Sequence, residues 1–336
     1  MGQYLVRRIL LMIPTFIGVT FLVFFITRIV PGGPIEKMIS EAQMMKQGRM
    51  SYADASPLDP KQLEQLKKFY GLDQPIIPAY ITWFKKLLML DLGNSTRYSD
   101  PVWDIILERL PISFYFGLVT LLITHLVCIP LGVLKAIKHN TRTDNISSLF
   151  VFIGYAVPSY VIGIFLLVTF AADLDWFPLG EFTSDDFESF TFFGKVGDIL
   201  SHTFLPMVTY MAGSFAVLTF MMKNSLMDNL SADYVRTALA KGLSFPKAVI
   251  QHAFRNSLIP LATHLGQSIS LFLMGSFLVE QIYNIDGMGL LGYESVVERD
   301  YPVVMGVLVV SSVLFLVGNI LGDIFVAIVD PRVRFK

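Results

Sequence analysis

The chain has 336 residues, of which 54% are apolar and only 16% are charged. In a soluble domain about a quarter of the residues are charged. The formal net charge of −1 shows no basic excess that would indicate a nucleic-acid partner, and the single cysteine, Cys128, excludes an intrachain disulfide and a cysteine-based metal cluster. Composition therefore predicts a membrane protein.

Six apolar stretches are long enough to cross a bilayer, which takes about 20 residues of helix. They are residues 9–30, 111–134, 149–172, 203–222, 258–282 and 303–328. The first stretch follows Arg7 and Arg8, but it is too long for the apolar part of a signal peptide and no A-x-A cleavage site lies directly after it. The sequence therefore predicts an all-α integral membrane protein with six transmembrane helices.

The charges of the short loops predict the orientation of these helices. Basic residues follow the second helix (Lys135, Lys138, Arg142), follow the fourth helix (Lys223, Arg236, Lys241, Lys247, Arg255) and end the chain (Arg332, Arg334, Lys336). Residues 173–202 hold seven acidic residues against one lysine. Because cytoplasmic loops carry the excess of Lys and Arg, we expect both termini of this multi-pass chain in the cytoplasm.

The predicted organisation has three parts: residues 1–30 with the first transmembrane helix, an external helical segment 31–110, and residues 111–336 with the other five helices. Segment 31–110 carries ten Lys and Arg residues, but long loops cross a membrane largely regardless of charge. Asp59-Pro60 predicts the start of one helix in it. Residues 75–90 place their large apolar side chains on one helical face, so this helix could rest on the membrane surface or pack on the helix bundle.

Gly287, Gly289 and Gly292 match the pattern G-x-G-x-x-G of phosphate-binding loops. That pattern binds a dinucleotide only where a strand turns into a helix inside a βαβ unit, and no such unit is predicted around it. We therefore interpret the glycines as a tight external turn between a membrane helix and a short surface helix. We expect no catalytic, cofactor-binding or metal-binding residues in this chain.

The largest cytoplasmic connection is residues 223–257, KNSLMDNLSADYVRTALAKGLSFPKAVIQHAFRNS. Residues 232–241 are rich in helix formers, Gly242 ends that helix, and Pro246 can open a second helix that runs to Phe254. Small side chains that permit close approach and charges that could pair with a partner alternate here: Arg236, Ala238, Ala240 and Lys241. The pattern predicts a contact site for a cytoplasmic partner, although an ordinary solvated loop explains the same residues.

At this loop the sequence resembles a known family. DYVRTALAKGL followed by HAFRNSLIP resembles the EAA-loop signature of ABC importer permeases, in the form carried by oligopeptide and dipeptide permeases. Other matches run through nearly the whole chain: YLVRRILLMIPTF, GLDQPIIPAYITWFKKLLMLDLGNS, IPLGVLKA, GYAVPSY, GSFLVEQIYNIDGMGLLGYE, RDYP and DPRVR. GYAVPS, LTFMMKNSLMD and LLGYESVVERDYPVVMG are most similar to the Yej type of peptide permease. Arg236-Thr237-Ala238 replaces the founding Glu-Ala-Ala, and Leu239 stands where relatives often carry arginine.

The resemblance implies the permease subunit of an ATP-driven peptide importer in a bacterial inner membrane. It implies a second permease in a heterodimer, cytoplasmic ABC ATPase subunits as two chains or one fused chain, a periplasmic peptide-binding protein, the peptide itself and membrane lipid, without a cofactor or nucleic acid. The implied ATPase-coupling residues are Asp233, Tyr234, Arg236, Thr237, Ala238, Ala240, Lys241 and Gly242. Since this chain has no motif that hydrolyses ATP, the energy would enter through a mechanical contact at this loop.

Other residues inside the predicted helices allow two interpretations each. Flexible and small side chains near mid-membrane could line a substrate path or simply pack: Met211, Ser214, Phe215, Met274 and Gly275. For His125 and His264 we favour hydrogen-bonded core histidines over a proton relay, and for Asp323 we favour a contact with a neighbouring helix. Glu280 is expected to face water or the partner permease, and Pro158 is expected to kink the third helix.

The main alternative function is an ion-coupled secondary transporter, which would show inverted repeats and a buried acid for ion coupling. No internal repeat is found, and Asp323 is the only deep carboxylate in the predicted spans. A membrane-embedded enzyme would need H-E-x-x-H, G-x-S-x-G or paired intramembrane aspartates, which this sequence does not contain. A receptor or scaffold would not explain the two-helix loop.

Overall fold

The structure is a computed structural model, and it describes residues 2–29 and 74–329. Within these residues the regular structure is helical, apart from one isolated β-bridge between Asn94 and Pro101. The all-α class is therefore confirmed. The helix predicted to start at Asp59-Pro60 lies outside the described residues.

The helices are α1 (Gly2–Ile29), α2 (Ile76–Leu88), α3 (Val102–Ile137), α4 (Arg142–Ala156), α5 (Ser159–Leu166), α6 (Phe192–Ser231), α7 (Asp233–Ala240), α8 (Phe245–Ala248), α9 (Ile259–Leu273), α10 (Phe277–Ile282), α11 (Met288–Val297) and α12 (Tyr301–Val329). Helix α5 continues as a π-helical stretch, Leu167–Asp173. Helix α8 continues likewise through Val249–Phe254 into a last turn, Arg255–Ser257.

Four of these helices, α1, α3, α6 and α12, are each long and apolar enough to cross a membrane. Helices α4 and α5 form a fifth candidate span that is bent by 97° at Val157 and Pro158. Proline lacks the N–H that would continue the helix and holds the residue before it in an extended conformation, as Val157 shows with ψ of 127°. The kink predicted at Pro158 is confirmed.

The fifth predicted span, residues 258–282, consists of α9 and α10 with a break at Met274, Gly275 and Ser276. Gly275 has φ of +75°, a conformation that ends a helix. Helix α9 alone has 15 residues, fewer than the roughly 20 that a straight span needs. The described helices thus give four or five candidate spans, and the count of six stays a prediction.

The chain forms two compact units. The larger contains residues 109–291 with the beginning of α1 and the part of α12 that starts at Val313. Its buried residues form two clusters. The first contains Cys128, Ala136, Leu218, Met222, Leu226, Val235, Ala248, Val249, Ala253 and Leu261; the second contains Phe116, Ala171, Leu205, Met207, Val279, Tyr283 and Ile285.

The smaller unit contains α1 from Leu10 onward, α2, the residues up to Glu108 and residues 292–312. In its core Tyr80 of α2 packs with Phe24 of α1 and Met305 of α12. Of the two alternatives for the helix predicted in residues 75–90, packing on the bundle is therefore confirmed for one of its faces. The boundaries of the three predicted parts stay a prediction.

Candidate functional site

The two-helix loop consists of α7, the turn at Gly242, and α8 with its π-helical continuation. Helix α7 ends in a Schellman motif, in which the Leu243 N–H donates to Ala238 O at 3.2 Å and the Gly242 N–H donates to Leu239 O at 2.9 Å. Gly242 has φ of +89°, which is the left-handed conformation that this motif requires. The predicted pair of helices with a glycine stop between them is confirmed.

The outer surface of this loop presents most of the predicted coupling residues. Asp233, Tyr234, Arg236, Thr237, Ala240, Lys241 and Gly242 are exposed, and Ala238 is half-buried. Arg236 lies 3.9 Å from Asp233 across one turn of α7, an exposed pair that contributes little to stability. Its guanidinium is 70% exposed and can therefore approach a partner.

Tyr234 has a structural contact in addition to its exposed face. Its hydroxyl donates to Asn229 Oδ1 at 2.5 Å and accepts from Asn256 Nδ2 at 3.2 Å. These bonds join the end of α6 to the last turn of the loop. Sequence reasoning assigned Tyr234 to partner contact alone and missed this link.

The inner surface of the loop packs on the membrane helices. Val235 is 1% exposed and belongs to the same cluster as Met222 of α6 and Ala136 of α3. The Ser257 hydroxyl donates to Ser225 O at 3.3 Å, which adds a polar link to α6. The loop is therefore in close-packed contact with the ends of α3 and α6.

Beside this cluster lies a buried ionic group that sequence reasoning missed. Lys223 Nζ lies 2.8 Å from both carboxylate oxygens of Asp144, and Lys135 Nζ lies 3.1 Å from Oδ1. The Lys135 ammonium also donates to the hydroxyls of Ser147 and Ser148 at 2.9 and 2.7 Å. The group joins α3, α4 and α6, so both lysines, used above as loop charges, are buried.

The sequence carries one signal for Asp144. Thr141-x-x-Asp144 is the spacing of a helix cap, and the Thr141 hydroxyl accepts from the Asp144 N–H at 3.5 Å. That signal predicts where α4 begins. It does not predict the pairing with Lys223, which lies on α6, 79 residues after Asp144 in the chain.

The five predicted path residues are not brought together. Met211 and Phe215 line a cavity of about 400 Å³, whereas the Ser214 hydroxyl bonds to Met211 O at 3.3 Å and Gly275 lies against Glu280. Met274 is 37% exposed and does not line this cavity. The cavity lies between α3, α4 and α6, and its other lining residues are Leu131, Ser147, Phe150, Val151, Gly154, Val208 and Ala212.

The first glycine of the pattern, Gly287, lies against a carboxylate of the protein itself. Glu280 Oε1 accepts from the Tyr210 hydroxyl at 3.1 Å and the Ser276 N–H at 3.2 Å, and Oε2 accepts from the Leu290 N–H at 2.6 Å. A Cβ atom at Gly287 would overlap the Glu280 carboxyl group. The prediction that Glu280 faces water or a partner subunit is wrong, because backbone donors bind its carboxylate in the interior and it is 1% exposed.

The other three ionisable residues considered above, His125, His264 and Asp323, each have a partner within the protein, although the buried Nε2 of His125 forms no hydrogen bond within the described residues. His125 Nδ1 lies 2.8 Å from Leu121 O, and His264 Nδ1 lies 2.9 Å from the Ser268 hydroxyl. Asp323 of α12 forms an ion pair of 3.1 Å with Arg8 of α1, the helix contact that the sequence favoured. Within residues 2–29 and 74–329, no group of three His, Cys, Asp or Glu residues is placed to hold a metal ion.

The chain is similar to proteins of known type over its whole length. It is 38% identical to the peptidoglycan transport system permease protein YejB of Agrobacterium fabrum, with 100% of this chain and 99% of that protein aligned. It is 37% identical to the inner membrane ABC transporter permease protein YejB of Escherichia coli O157:H7, with 100% of both aligned. The oligopeptide transport system permease protein AppB of Bacillus subtilis is 35% identical, again over 100% of both chains.

A solved structure shows the same fold. The structure titled "Inward facing conformations of the MetNI methionine ABC transporter" superposes with a TM-score of 0.53, covering 67% of this chain and 96% of the matched chain at 14% identity. A sequence model of the family described as "Binding-protein-dependent transport system inner membrane component" matches residues 128–335, more than half of the chain. The chain therefore belongs to this family of ABC importer permeases, among relatives of the oligopeptide and dipeptide type.

Proposed function

We propose that this chain is a transmembrane permease subunit of an ATP-driven peptide importer and that its two-helix loop receives the drive from cytoplasmic ATPase subunits. The observation that carries the proposal is the two-sided character of the loop. Its outer surface exposes Arg236 and Lys241, and its inner surface places Val235 in the core of α3 and α6. Such an element can convert a partner's movement into a movement of membrane helices.

The physical chemistry of a peptide agrees with this role. Each amide group left unpaired in hydrocarbon costs several kcal/mol, so a peptide must cross through a cavity between helices. We propose that Met211, Ser214, Phe215, Met274 and Gly275 contribute to the wall of that path. The cavity of about 400 Å³ supports Met211 and Phe215 in this role. The exposed side chain of Met274 is compatible with it.

The subunit would work within a larger assembly in a bacterial inner membrane. Its proposed partners are a second permease in a heterodimer, one or two ABC ATPase chains, a periplasmic peptide-binding protein and membrane lipid. The relatives whose names contain oligopeptide, dipeptide or peptidoglycan support a peptide-like substrate. Six spans with both termini in the cytoplasm would place the two-helix loop on the side of the ATPases.

The test reverses one charge on the outer surface of the loop. Arg236→Glu should leave the chain folded, because the side chain is exposed and its ion pair with Asp233 is weak. Loss of an ion pair with the ATPase should reduce the ATPase recovered with the tagged permease in mild detergent by about tenfold, equivalent to about 1.4 kcal/mol. Peptide uptake by reconstituted vesicles should fall with it.

Lys138→Glu is the matched control, since Lys138 is also exposed and expected in the cytoplasm but lies outside the two-helix loop. It should retain both ATPase recovery and uptake. Equal recovery from the two variants would show that Arg236 is not part of the contact. A parent chain that emerges without any ATPase, while transporting peptide down an ion gradient, would favour the secondary transporter instead.

A further inference from the structure

Helix α2 has three distinct sides. One side packs on the smaller unit and includes the buried residues Ala79, Tyr80 and Leu87. A second side is polar and exposed. Between them runs an apolar stripe of three residues, Ile77, Ile81 and Leu88, which are 64%, 48% and 71% exposed. At 3.6 residues per turn these three positions fall within about 40° of one another.

The contacts of α2 establish its depth along α1, an apolar helix that the structure describes up to Ile29, one residue before the external end of the predicted span 9–30. The Tyr80 hydroxyl bonds to Thr20 Oγ1 at 2.9 Å and donates to Ile17 O at 3.2 Å, while its ring meets that of Phe24 with centroids 5.5 Å apart. Phe24 and Thr20 precede Ile29 by five and nine residues, roughly 8 and 14 Å at 1.5 Å per residue. Half of the hydrocarbon core is about 15 Å thick, so Tyr80 lies well inside one leaflet.

The contacts of α12 give a second, independent measure of the depth of α2 in the membrane. Met305 belongs to the same buried cluster as Ala79 and Tyr80, and Leu308 packs against that cluster. These two residues follow the first residue of α12, Tyr301, by four and seven residues. At 1.5 Å per residue they lie roughly 6 and 10 Å inside the end of that span. The contacts with both helices therefore favour a position of α2 at the level of the acyl chains rather than above them.

The end of α2 adds an independent observation. Leu90 has φ of +60°, a strained conformation for leucine, and its side chain is 72% exposed beside that of Met89, which is 79% exposed. The turn is held by N–H donation from Leu90 to Leu87 O at 2.9 Å and from Asp91 to Lys86 O at 3.0 Å. These two hydrogen bonds compensate for the strain of the turn, which leaves the apolar side chains of Met89 and Leu90 exposed.

We propose that α2 lies in the outer leaflet and that its apolar stripe contacts lipid acyl chains, with Lys85 and Lys86 at the level of the phosphates. Long basic side chains reach the interface from a helix that lies within it, and within the described residues neither lysine forms an ion pair. The bilayer is thus a direct partner of the helix that sequence analysis placed either on the membrane surface or against the helix bundle. The proposal requires that α1 and α12 span the membrane and is independent of what the protein transports.

The experiment attaches a nitroxide label to single introduced cysteines in the full chain reconstituted into phospholipid vesicles. Ile77→Cys, Ile81→Cys and Leu88→Cys report on the stripe, and Thr82→Cys and Lys86→Cys are matched controls on the polar side of the same helix. Oxygen concentrates in hydrocarbon and a nickel chelate stays in water. The stripe labels should show an oxygen-to-nickel collision ratio several-fold above that of the controls. The natural Cys128 is fully buried, so the parent chain supplies the unlabelled blank.

Two results would overturn the proposal. Nickel collisions as frequent at the stripe as at Lys86 would place the stripe in water. Few collisions with either reagent would show that protein covers it. A second measurement needs no cysteine substitution and therefore does not depend on the folding of those variants. In a chain with Trp103 and Trp176 replaced by phenylalanine, lipids brominated along their acyl chains should quench the fluorescence of Trp83 of α2. Absence of quenching in that chain would also contradict a position inside the leaflet.

Discussion

Glu280 is a buried acid whose described hydrogen-bond donors are uncharged. Its carboxylate accepts from one tyrosine hydroxyl and from backbone N–H groups of residues 276 and 290. A buried polar group destabilises a fold little when all of its hydrogen bonds are satisfied. Backbone N–H groups near the start of a helix also bind phosphate groups. In this chain the protein's own side chain occupies the position of the anion.

The close packing of Gly287 against the Glu280 carboxyl group predicts that a larger residue at position 287 destabilises the protein. Gly287→Ala would push a methyl group into the Glu280 carboxyl, and overpacking of this kind typically costs about 1–3 kcal/mol. We expect the apparent temperature of heat-induced loss of the monodisperse protein to fall by several degrees, measured in detergent at one fixed heating rate.

Gly197→Ala is the matched control for that substitution. Gly197 lies in α6 with no atom within 4 Å of an added Cβ, and alanine is favoured over glycine in a helix by about 1 kcal/mol. The control should be unchanged or slightly more stable. A Gly287→Ala protein as stable as this control would mean that the loop can relax away from Glu280 without loss.

At the scale of elements, the turn at Gly242 sets the direction of α7 relative to α8. No atom lies within 4 Å of a Cβ added there, so a substitution acts through backbone strain rather than through a clash. Gly242→Val should cost about 1–3 kcal/mol locally and reorient the turn. We expect the chain to insert and fold, while the peptide imported per ATP hydrolysed falls in reconstituted vesicles.

Ser244→Val places the same side chain two residues later, where the backbone is extended with φ of −67° and ψ of 148°. Valine adopts that backbone conformation without strain, so this control should transport normally. If the two variants import equal amounts of peptide per ATP, the geometry of the turn does not matter for coupling.

Elements were predictable wherever a local cause determines them. Pro158 breaks a helix through its own ring, and Gly242 ends one through its own φ, so both were visible in the sequence. The break at Gly275 was not, because the apolar run continues through it, although Gly275 has φ of +75° and an added Cβ would meet the Glu280 carboxyl group. Likewise, pairing of Asp144 with Lys223 depends on tertiary structure that no local pattern encodes.

At the scale of the whole molecule, the predicted membrane topology can be tested. Single cysteines introduced at the exposed positions Asn140, Asp185 and Lys241, and one appended to the C-terminus, can be labelled with an impermeant maleimide in intact spheroplasts. We expect the label at Asp185 alone, because charge asymmetry places the other three in the cytoplasm. All four should react once the membrane is disrupted.

The same experiment decides the number of spans. If residues 258–282 failed to cross, the chain would have five spans and the C-terminal cysteine would react from outside while Lys241→Cys stayed protected. The sequence predicts six by counting apolar residues, which measures length and composition. It cannot detect that the fifth stretch is interrupted, since a bend of the backbone leaves hydropathy unchanged.

The buried ionic group bears on how the chain is assembled during synthesis. Lys135 and Asp144 are nine residues apart, at the end of α3 and the start of α4, so the two can pair as soon as that helical hairpin has left the ribosome. Lys223 follows 79 residues after Asp144, which at bacterial rates of 5–20 residues per second is a delay of roughly 4–16 s. The hairpin can thus enter the bilayer with its opposite charges already paired, and α6 later adds its lysine to a carboxylate that is already in place.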